Sequence, residues 1–412
     1  MQKPIIIVGA GPVGLTLALL LHRNNIPVEI YEAVEEVKPL GVGINLLPHS
    51  VRVLVELGLK DQLDSIGVRT SALHYYNKWG QQIWAEPRGI EAGYEHPQYS
   101  IHRGKFQMML VAETRQRLGE ETMKTGLKLI DWEDTTDGVS VRLQNLANEE
   151  VFVEGRCLIA ADGINSTARA LLYPDEGAPL YGNRILWRGT SVTKPFLDGR
   201  TMFMAGHPTC KFVAYCIQEN CDGMNNSLIN WIAELEHPED PVEMQNWNRK
   251  VNVDVFADSF DAWDFSWINI PKIIKQCQAV YEYPLSDRDP LPKWTFGNMT
   301  LIGDAAHPMY PIGSNGASQG ILDAEKLSDE LSSQEMVTKA FDNYELERRP
   351  ATSNIVLSNR KNGPEQVMQL AEERSPDGFE HVHDIISQAE LEEIANRYKQ
   401  TAGFTVASVN KH

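Results

Sequence analysis

Three glycines, Gly9, Gly11 and Gly14 in the run GAGPVG, follow an apolar β-branched tetrapeptide and open a stretch, LTLALLLHRNN, with the composition of a helix. Glycine at the first place permits a tight turn, at the second lets the backbone approach a pyrophosphate, and at the third lets the helix pack on the strand. The free N–H groups at the positive helix end then favour phosphate. Glu32 closes the next apolar run, VEIYE, where a carboxylate accepts hydrogen bonds from ribose hydroxyls and repels a 2′-phosphate. This pattern binds a dinucleotide; FAD and NAD both suit it, and NADP is disfavoured. No second fingerprint of this kind follows another strand, so if FAD fills the site a nicotinamide reductant binds elsewhere and transiently.

Two later stretches repeat the theme of a carboxylate after an apolar run. AADGINSTAR places Asp162 and Gly163 there, and LIGDAAHPMYPIGSNGASQGILDA places Asp304 there. An isolated aspartate in such a place suits a turn or a helix cap. The helix beyond, however, carries small residues in its first turn, so something broad and flat can approach its N-terminus, where backbone donors favour negative charge. No Ser-His-Asp or metal-ligating constellation accompanies these motifs. His381 and His383 sit in a polar tail and read as a solvated pair. The five cysteines include no C-x-x-C pair and suit reduced thiols in a cytoplasmic enzyme.

The elements that must hold these residues follow from periodicity. Strand, glycine turn, helix and strand at the N-terminus make a right-handed βαβ unit and begin a doubly wound parallel sheet. Runs at Val139 to Leu143 and Val151 to Val153 suggest an antiparallel hairpin, and CLIAADG returns to the parallel pattern. RILWRGTSV, TMFMAGH, KFVAYCI and SLINWIAEL read as strands of a mixed or antiparallel sheet, after which MTLIGDAAH restores the buried parallel signature. A chain of 412 residues exceeds the size of one core. We therefore expect a discontinuous first domain (1–70, 100–180 and 284–355), a second domain (71–99 and 181–283) and a helical tail (356–412); the segment after Asp323 reads as helical to the end, interrupted at Pro350, Gly363-Pro364 and Pro376 to Gly378.

Composition limits the partners. A formal charge of −18 repels nucleic-acid phosphates and anionic lipid, and the aliphatic runs are too short to span a bilayer. The Gly-Pro interruption of the N-terminal apolar run lacks the design of a signal peptide. The expectation is a cytoplasmic monomer or homodimer, the tail helix ELEEIANRYKQ offering an apolar face for either its own domain or a second copy.

In their order, the three motifs resemble those of FAD-dependent aromatic monooxygenases of the hydroxybenzoate and salicylate hydroxylase class. LGVGIN, EPRGIEAG, QYSIHRG, WRGT, DRDPLP and MYPIGSNGASQGILDA further resemble the phenazine-modifying branch. The resemblance implies an α/β fold: a Rossmann-type FAD-binding domain with a parallel sheet, a mixed or antiparallel β-sheet substrate domain and a C-terminal helical tail. It implies that Gly9, Gly11, Gly14, Glu32 and Ala33 hold the diphosphate and adenosine ribose of FAD, that Arg103 reaches the phosphate or ribityl region, and that Leu127 lies near the adenine. Asp162 would serve FAD and the nicotinamide, Asp304 the ribityl chain, and the Gly316 and Ala317 N–H groups the flavin N1–C2=O edge. PIGSNG departs from the Gly-Gln-Gly of many hydroxylases.

The activity so implied is hydroxylation of an aromatic or heteroaromatic substrate, such as a phenazine carboxylate, by NADH or NADPH and dioxygen, with or without loss of a carboxyl group. Catalysis would be flavin-borne, with no catalytic side chain and no metal. Trp187, Arg188, His207, Tyr215 and Tyr310 lie in segments that could face the flavin, where arginine suits a carboxylate and aromatic rings stack on a flat substrate. Two other functions fit the same fold: a flavin dehydrogenase or reductase, and a non-catalytic flavin-fold binding protein.

Overall fold

The computed structural model describes residues 3–238 and 249–411; part of the expected 181–283 segment, at 239–248, lies outside the described residues, as do residues 1, 2 and 412. Ile5–Val8 is buried at every position, which suits a strand covered on both faces. It sits inside a six-stranded sheet ordered Thr295–Phe296, Met299–Leu301, Cys157–Ala160, Ile5–Val8, Val28–Glu32, Met123–Thr125. All neighbours pair in parallel except the two-residue edge strand Thr295–Phe296. Parallel strands point their carboxyl ends to one edge, so Gly9, Glu32, Asp162 and Asp304 gather there from distant parts of the chain.

Between the first two strands runs the helix Pro12–Arg23, with proline at its first position and Gly11 as an N-cap that offers no side chain. Gly9 has φ +104°, and a Cβ there would meet Ala161 O at 2.3 Å; a Cβ on Gly14 would meet Gly9 O at 2.2 Å. The turn and the helix contact therefore both require glycine. Leu127–Thr135, Gly138–Asn145 and Glu150–Gly155 form an antiparallel meander, one strand more than the expected hairpin.

A second, eight-stranded sheet runs Arg249–Val251, Val280–Asp287, Leu180–Thr193, Ser227–Glu236, Cys210–Gln218, Thr201–His207, Ala72–Tyr76, Gln82–Pro87. It is antiparallel except where Thr201–His207 pairs in parallel with Ala72–Tyr76. Alternation divides its residues between two faces. Phe203, Phe212 and Trp231 join an aromatic core with Phe256, Phe260 and Trp263, while Met204, Val213 and Ile232 turn the other way, toward the C-terminal helices.

Those helices include Gly316–Ser333, Val337–Asn359, Gln366–Arg374 and Gln388–Thr401. Pro350 does not interrupt the second of them, contrary to expectation. Phe341 and Tyr344 before it and Thr352, Ile355 and Val356 after it are all buried, and packing on both sides holds the helix through the missing N–H. No helix among the described residues is long and apolar enough to cross a membrane.

The Gly14 contact yields a measurable expectation. Gly14→Ala should cost about 1–3 kcal/mol of unfolding free energy through overpacking against a backbone carbonyl, read as a lower urea midpoint; an unchanged midpoint would show that the turn can yield.

Candidate functional site

At the carboxyl edge of the parallel sheet lies a groove of about 410 Å³. Gly9, Gly11, Glu32, Ala33, Arg103, Leu127 and Asp162 all line it. Gly14 stands one turn behind, in the packing place just described. A Cβ on Gly11 would meet nothing within 4 Å, so the helix N-terminus is open toward the groove. Glu32 is held in place by backbone donors: Ala10 N–H donates to Oε2 at 2.7 Å and Val34 N–H to Oε1 at 3.0 Å. A carboxylate offers about four lone-pair sites, which leaves capacity for ribose hydroxyls. Asp162 accepts at Oδ2 from Thr167 N–H at 2.8 Å, whereas its Oδ1 is buried with no partner among the described residues. Burial raises its pKa above the ordinary carboxyl value despite the lowering effect of those donors.

Arg103, first residue of the Arg103–Leu118 helix, also borders a second cavity of about 300 Å³. Asp304, Gly316 and Ala317 line this one, with Arg188, Tyr215 and Tyr310. Asp304 is exposed at the cavity it lines, yet the protein packed around its carboxyl desolvates it and raises its pKa against the pull of His307 and Arg103. Asn315 caps the Gly316–Ser333 helix without a side-chain cap bond, so the first N–H groups of that helix remain available at the cavity.

The GDAAH loop is braced from behind. Asp323 is fully buried, pairs with His307, and accepts from Arg348 Nε at 2.7 Å and Gly303 N–H at 3.2 Å. Burial pushes its pKa up, but His307 and Arg348 outweigh this and hold it below the ordinary value. Arg169, from the helix after the Asp162 turn, donates to Ala305 O at 3.2 Å and Ala306 O at 3.0 Å, which couples the second motif to the third. From the tail, Tyr398 Oη donates to Ile312 O at 3.3 Å and so pins the Pro311 to Asn315 loop.

Arg188 Nη2 donates to Gly43 O at 2.8 Å, and its Nε is buried without a partner among the described residues. Beside it the Tyr215 hydroxyl is pushed up to about 12 by burial, against the pull of Arg188. Trp187 and His207, by contrast, do not reach the cavity. Trp187 lies between Leu186 and Arg188 on one strand and must point to the opposite face, where it stacks on Phe256 at 4.8 Å and donates to Glu282 Oε2 at 3.0 Å. His207 ends its strand at a hairpin turn, 3.0 Å from Thr209 Oγ1.

The structure adds residues that sequence reasoning passed over. Met202, Met204, Val213 and Ile232 form an apolar wall, and Lys211, Glu234 and Glu365 a charged end. Alternation within KFVAYC (Lys211, Val213, Tyr215 on one face) was the available signal. The pairing of Lys211 with Glu365 joins residues remote in sequence and left no such signal.

The donor set fits FAD. An open glycine-capped helix end, an unpartnered buried Asp162 oxygen and an uncapped second helix end lie along two spaces that share Arg103. The chain belongs to the FAD binding domain family, whose pattern it matches over residues 2–358. It is 41% identical over 364 residues (87% of this chain, 89% of the relative) to a phenazine 1,6-dicarboxylic acid hydroxylase of Lysobacter antibioticus. It is 26% identical over 367 residues (87% and 88%) to 3-hydroxybenzoate 6-hydroxylase 1 of Aquipseudomonas alcaligenes. A solved salicylate hydroxylase substrate complex shares the fold with a TM-score of 0.74 at 21% identity, covering 100% of this chain and 97% of that one. The protein is thus an FAD-dependent enzyme of the aromatic monooxygenase class.

Two variants test this site. Asp304→Ala should lower FAD retention, read as the flavin-to-protein absorbance ratio after gel filtration; full occupancy with full turnover would remove Asp304 from the site. Asp323→Ala should cost about 3–5 kcal/mol, because it leaves Arg348 buried without its partner, and urea titrations measure this. Since the folded Asp323 pKa is lowered, its contribution is present above the unfolded carboxyl value and is lost as pH falls through the folded value. The wild type should therefore lose more stability than the variant on acidification.

Proposed function

We propose that the chain hydroxylates an aromatic or heteroaromatic carboxylate with NADH or NADPH and dioxygen, a phenazine carboxylate being the model substrate. One observation carries the reading: a cavity of about 300 Å³, walled by Met202, Met204, Val213 and Ile232 and reached by Arg188, is also bordered by Asp304, Gly316 and Arg103, and Arg103 lines the nucleotide groove as well. In this reading the flavin ring takes the Asp304 and Gly316 side of that space, and the apolar wall is left to a flat substrate ring. FAD, when bound, supplies hydride acceptance and activation of dioxygen.

The chain's own residues bind and orient. In this reading Gly9, Gly11, Glu32 and Asp162 hold the nucleotide half, Arg103 spans the two spaces, and the Gly316 and Ala317 N–H groups stabilise negative charge at the cavity. Arg188 holds a substrate carboxylate, and the methionine-rich wall excludes water from the ring. Tyr215 and Tyr310 border the ring; with Tyr215 pushed up to about 12, it stays neutral and donates. Two separate apolar cores, one around the parallel sheet and one on the aromatic face of the eight-stranded sheet, support the division into a cofactor domain and a substrate domain. Free cysteines support a cytoplasmic setting.

The test is NADH and NADPH consumption by the FAD-loaded protein against aromatic acids and phenazine carboxylates under ¹⁸O₂, with mass spectrometry of products. The expected result is substrate-stimulated oxidation and one labelled oxygen atom per product. Turnover without label would favour a dehydrogenase, and absence of stimulation a binding protein.

A further inference from the structure

The sheet wall of the substrate cavity is graded along its strands. Cys210–Gln218 and Ser227–Glu236 pair Tyr215 with Asn230, Val213 with Ile232, and Lys211 with Glu234. The first pair lies on the Arg103 side, since Asn230 Oδ1 accepts from Gly43 N–H at 2.6 Å and Gly43 pairs with His102, next to Arg103. The second is apolar. The third is charged, and at ~3.3 Å per residue it stands about 13 Å along the strand from Tyr215. The space therefore has a polar end at the flavin side, an apolar middle and an ionic far end.

That far end is closely built. Lys211 Nζ lies 2.9 Å from Glu234 Oε2 and 2.6 Å from Glu365 Oε2, and Arg184 Nη1 lies 3.1 Å from Glu234 Oε1. Lys211, Glu234 and Glu365 are 3%, 3% and 6% exposed, yet all three border the cavity. Burying such a cluster carries a heavy desolvation cost, and an apolar contact would hold the Gly363–Glu365 turn against the sheet at least as well. Two of the three Lys211 N–H groups are used by these carboxylates, which leaves one donor. Fully ionised, Lys211, Arg184, Glu234 and Glu365 sum to zero; with a proton on Glu365 they carry one positive charge.

The two carboxyls differ in the direction each is pushed. Burial raises both, but Lys211 and Arg184 outweigh it at Glu234, which is lowered, whereas Glu365 stays raised beside the Glu234 charge. The groups facing Glu365 are Lys211, Glu234 and Arg184 from three strands, and the hydroxyls of Tyr75 and Tyr398. Of the two carboxyls, Glu365 is thus the one that takes a proton more readily.

We propose that Lys211 and Glu365 are specificity-determining residues that engage a second carboxylate, at the end of an aromatic acid remote from the flavin. The inference rests on the hydroxylase reading above and deepens it: the preferred substrates are extended aromatic dicarboxylates. Lys211 donates its remaining N–H to the distal carboxylate, and neutral Glu365 donates its own proton to the same group. No covalent step is involved; the proton stays on Glu365 in the complex.

The experiment compares kcat/KM for phenazine-1,6-dicarboxylate and phenazine-1-carboxylate in the FAD-loaded wild type, Lys211→Met and Glu365→Gln, with dissociation constants from quenching of flavin fluorescence between pH 6 and 9. A charge-assisted hydrogen bond should give the wild type a preference for the dicarboxylate of about tenfold or more. In Lys211→Met that ratio should fall toward unity. In Glu365→Gln, which keeps a neutral donor, it should persist while the weakening of dicarboxylate binding with rising pH disappears. A purely structural cluster would change both substrates alike and leave the ratio intact, which overturns the proposal. If Lys211→Met fails to hold FAD, the wild type decides: equal dissociation constants for the two acids, or parallel pH dependence, refute the inference. Equal stimulation of NAD(P)H oxidation by both acids would sink the distal site alone. No stimulation by either would sink the hydroxylase reading with it.

Discussion

A run of three isoleucines and a valine can satisfy its backbone on both edges and its side chains on both faces only in the middle of a sheet. Ile5–Val8 takes that place between Val28–Glu32 and Cys157–Ala160, and the parallel pairing it imposes sets the geometry of the rest. Because neighbouring strands run the same way, the turns that leave them all emerge on one edge. Gly9, Glu32, Asp162 and Asp304 meet there for that reason.

The functional edge is held by charges placed behind it. Asp323 gathers His307, Arg348 and the Gly303 N–H under the GDAAH loop, while Arg169 takes two carbonyls of the same loop from the other side. Such loops cannot be fixed by apolar packing alone, since their small residues have little surface to bury. Directional bonds to a buried carboxylate and a guanidinium do it instead. The tail joins this bracing through Tyr398, whose hydroxyl reaches the Pro311 to Asn315 loop that walls the cavity of about 300 Å³. A segment remote in sequence thereby helps to shape that cavity.

The eight-stranded sheet works as a two-sided plate. Its aromatic face packs Phe212 and Trp231 against Phe260 in one core; its other face packs in part on the C-terminal helices and in part forms the cavity wall. This explains why neighbours on one strand have unrelated roles. Leu186 and Arg188 look into the cavity, while Trp187 between them is spent on the core against Phe256. A single residue of register separates a cavity-lining side chain from a structural ring.

Local chemistry made much of this legible in the sequence. The glycine turn, the acidic residue closing the second strand and the three motifs in order each act through their own backbone or through a neighbour a few residues away, so composition and spacing were enough for the parallel sheet and for bringing these residues to the groove at its carboxyl edge. Strand parity could also have excluded Trp187 and found Val213. Tertiary structure alone decided the rest. Pro350 stays helical because buried partners flank it on both sides, and Lys211 meets Glu234 and Glu365 because the sheet and the tail are folded against each other. Ion pairs between distant segments depend on distance and desolvation in three dimensions, and neither quantity exists until the chain has folded.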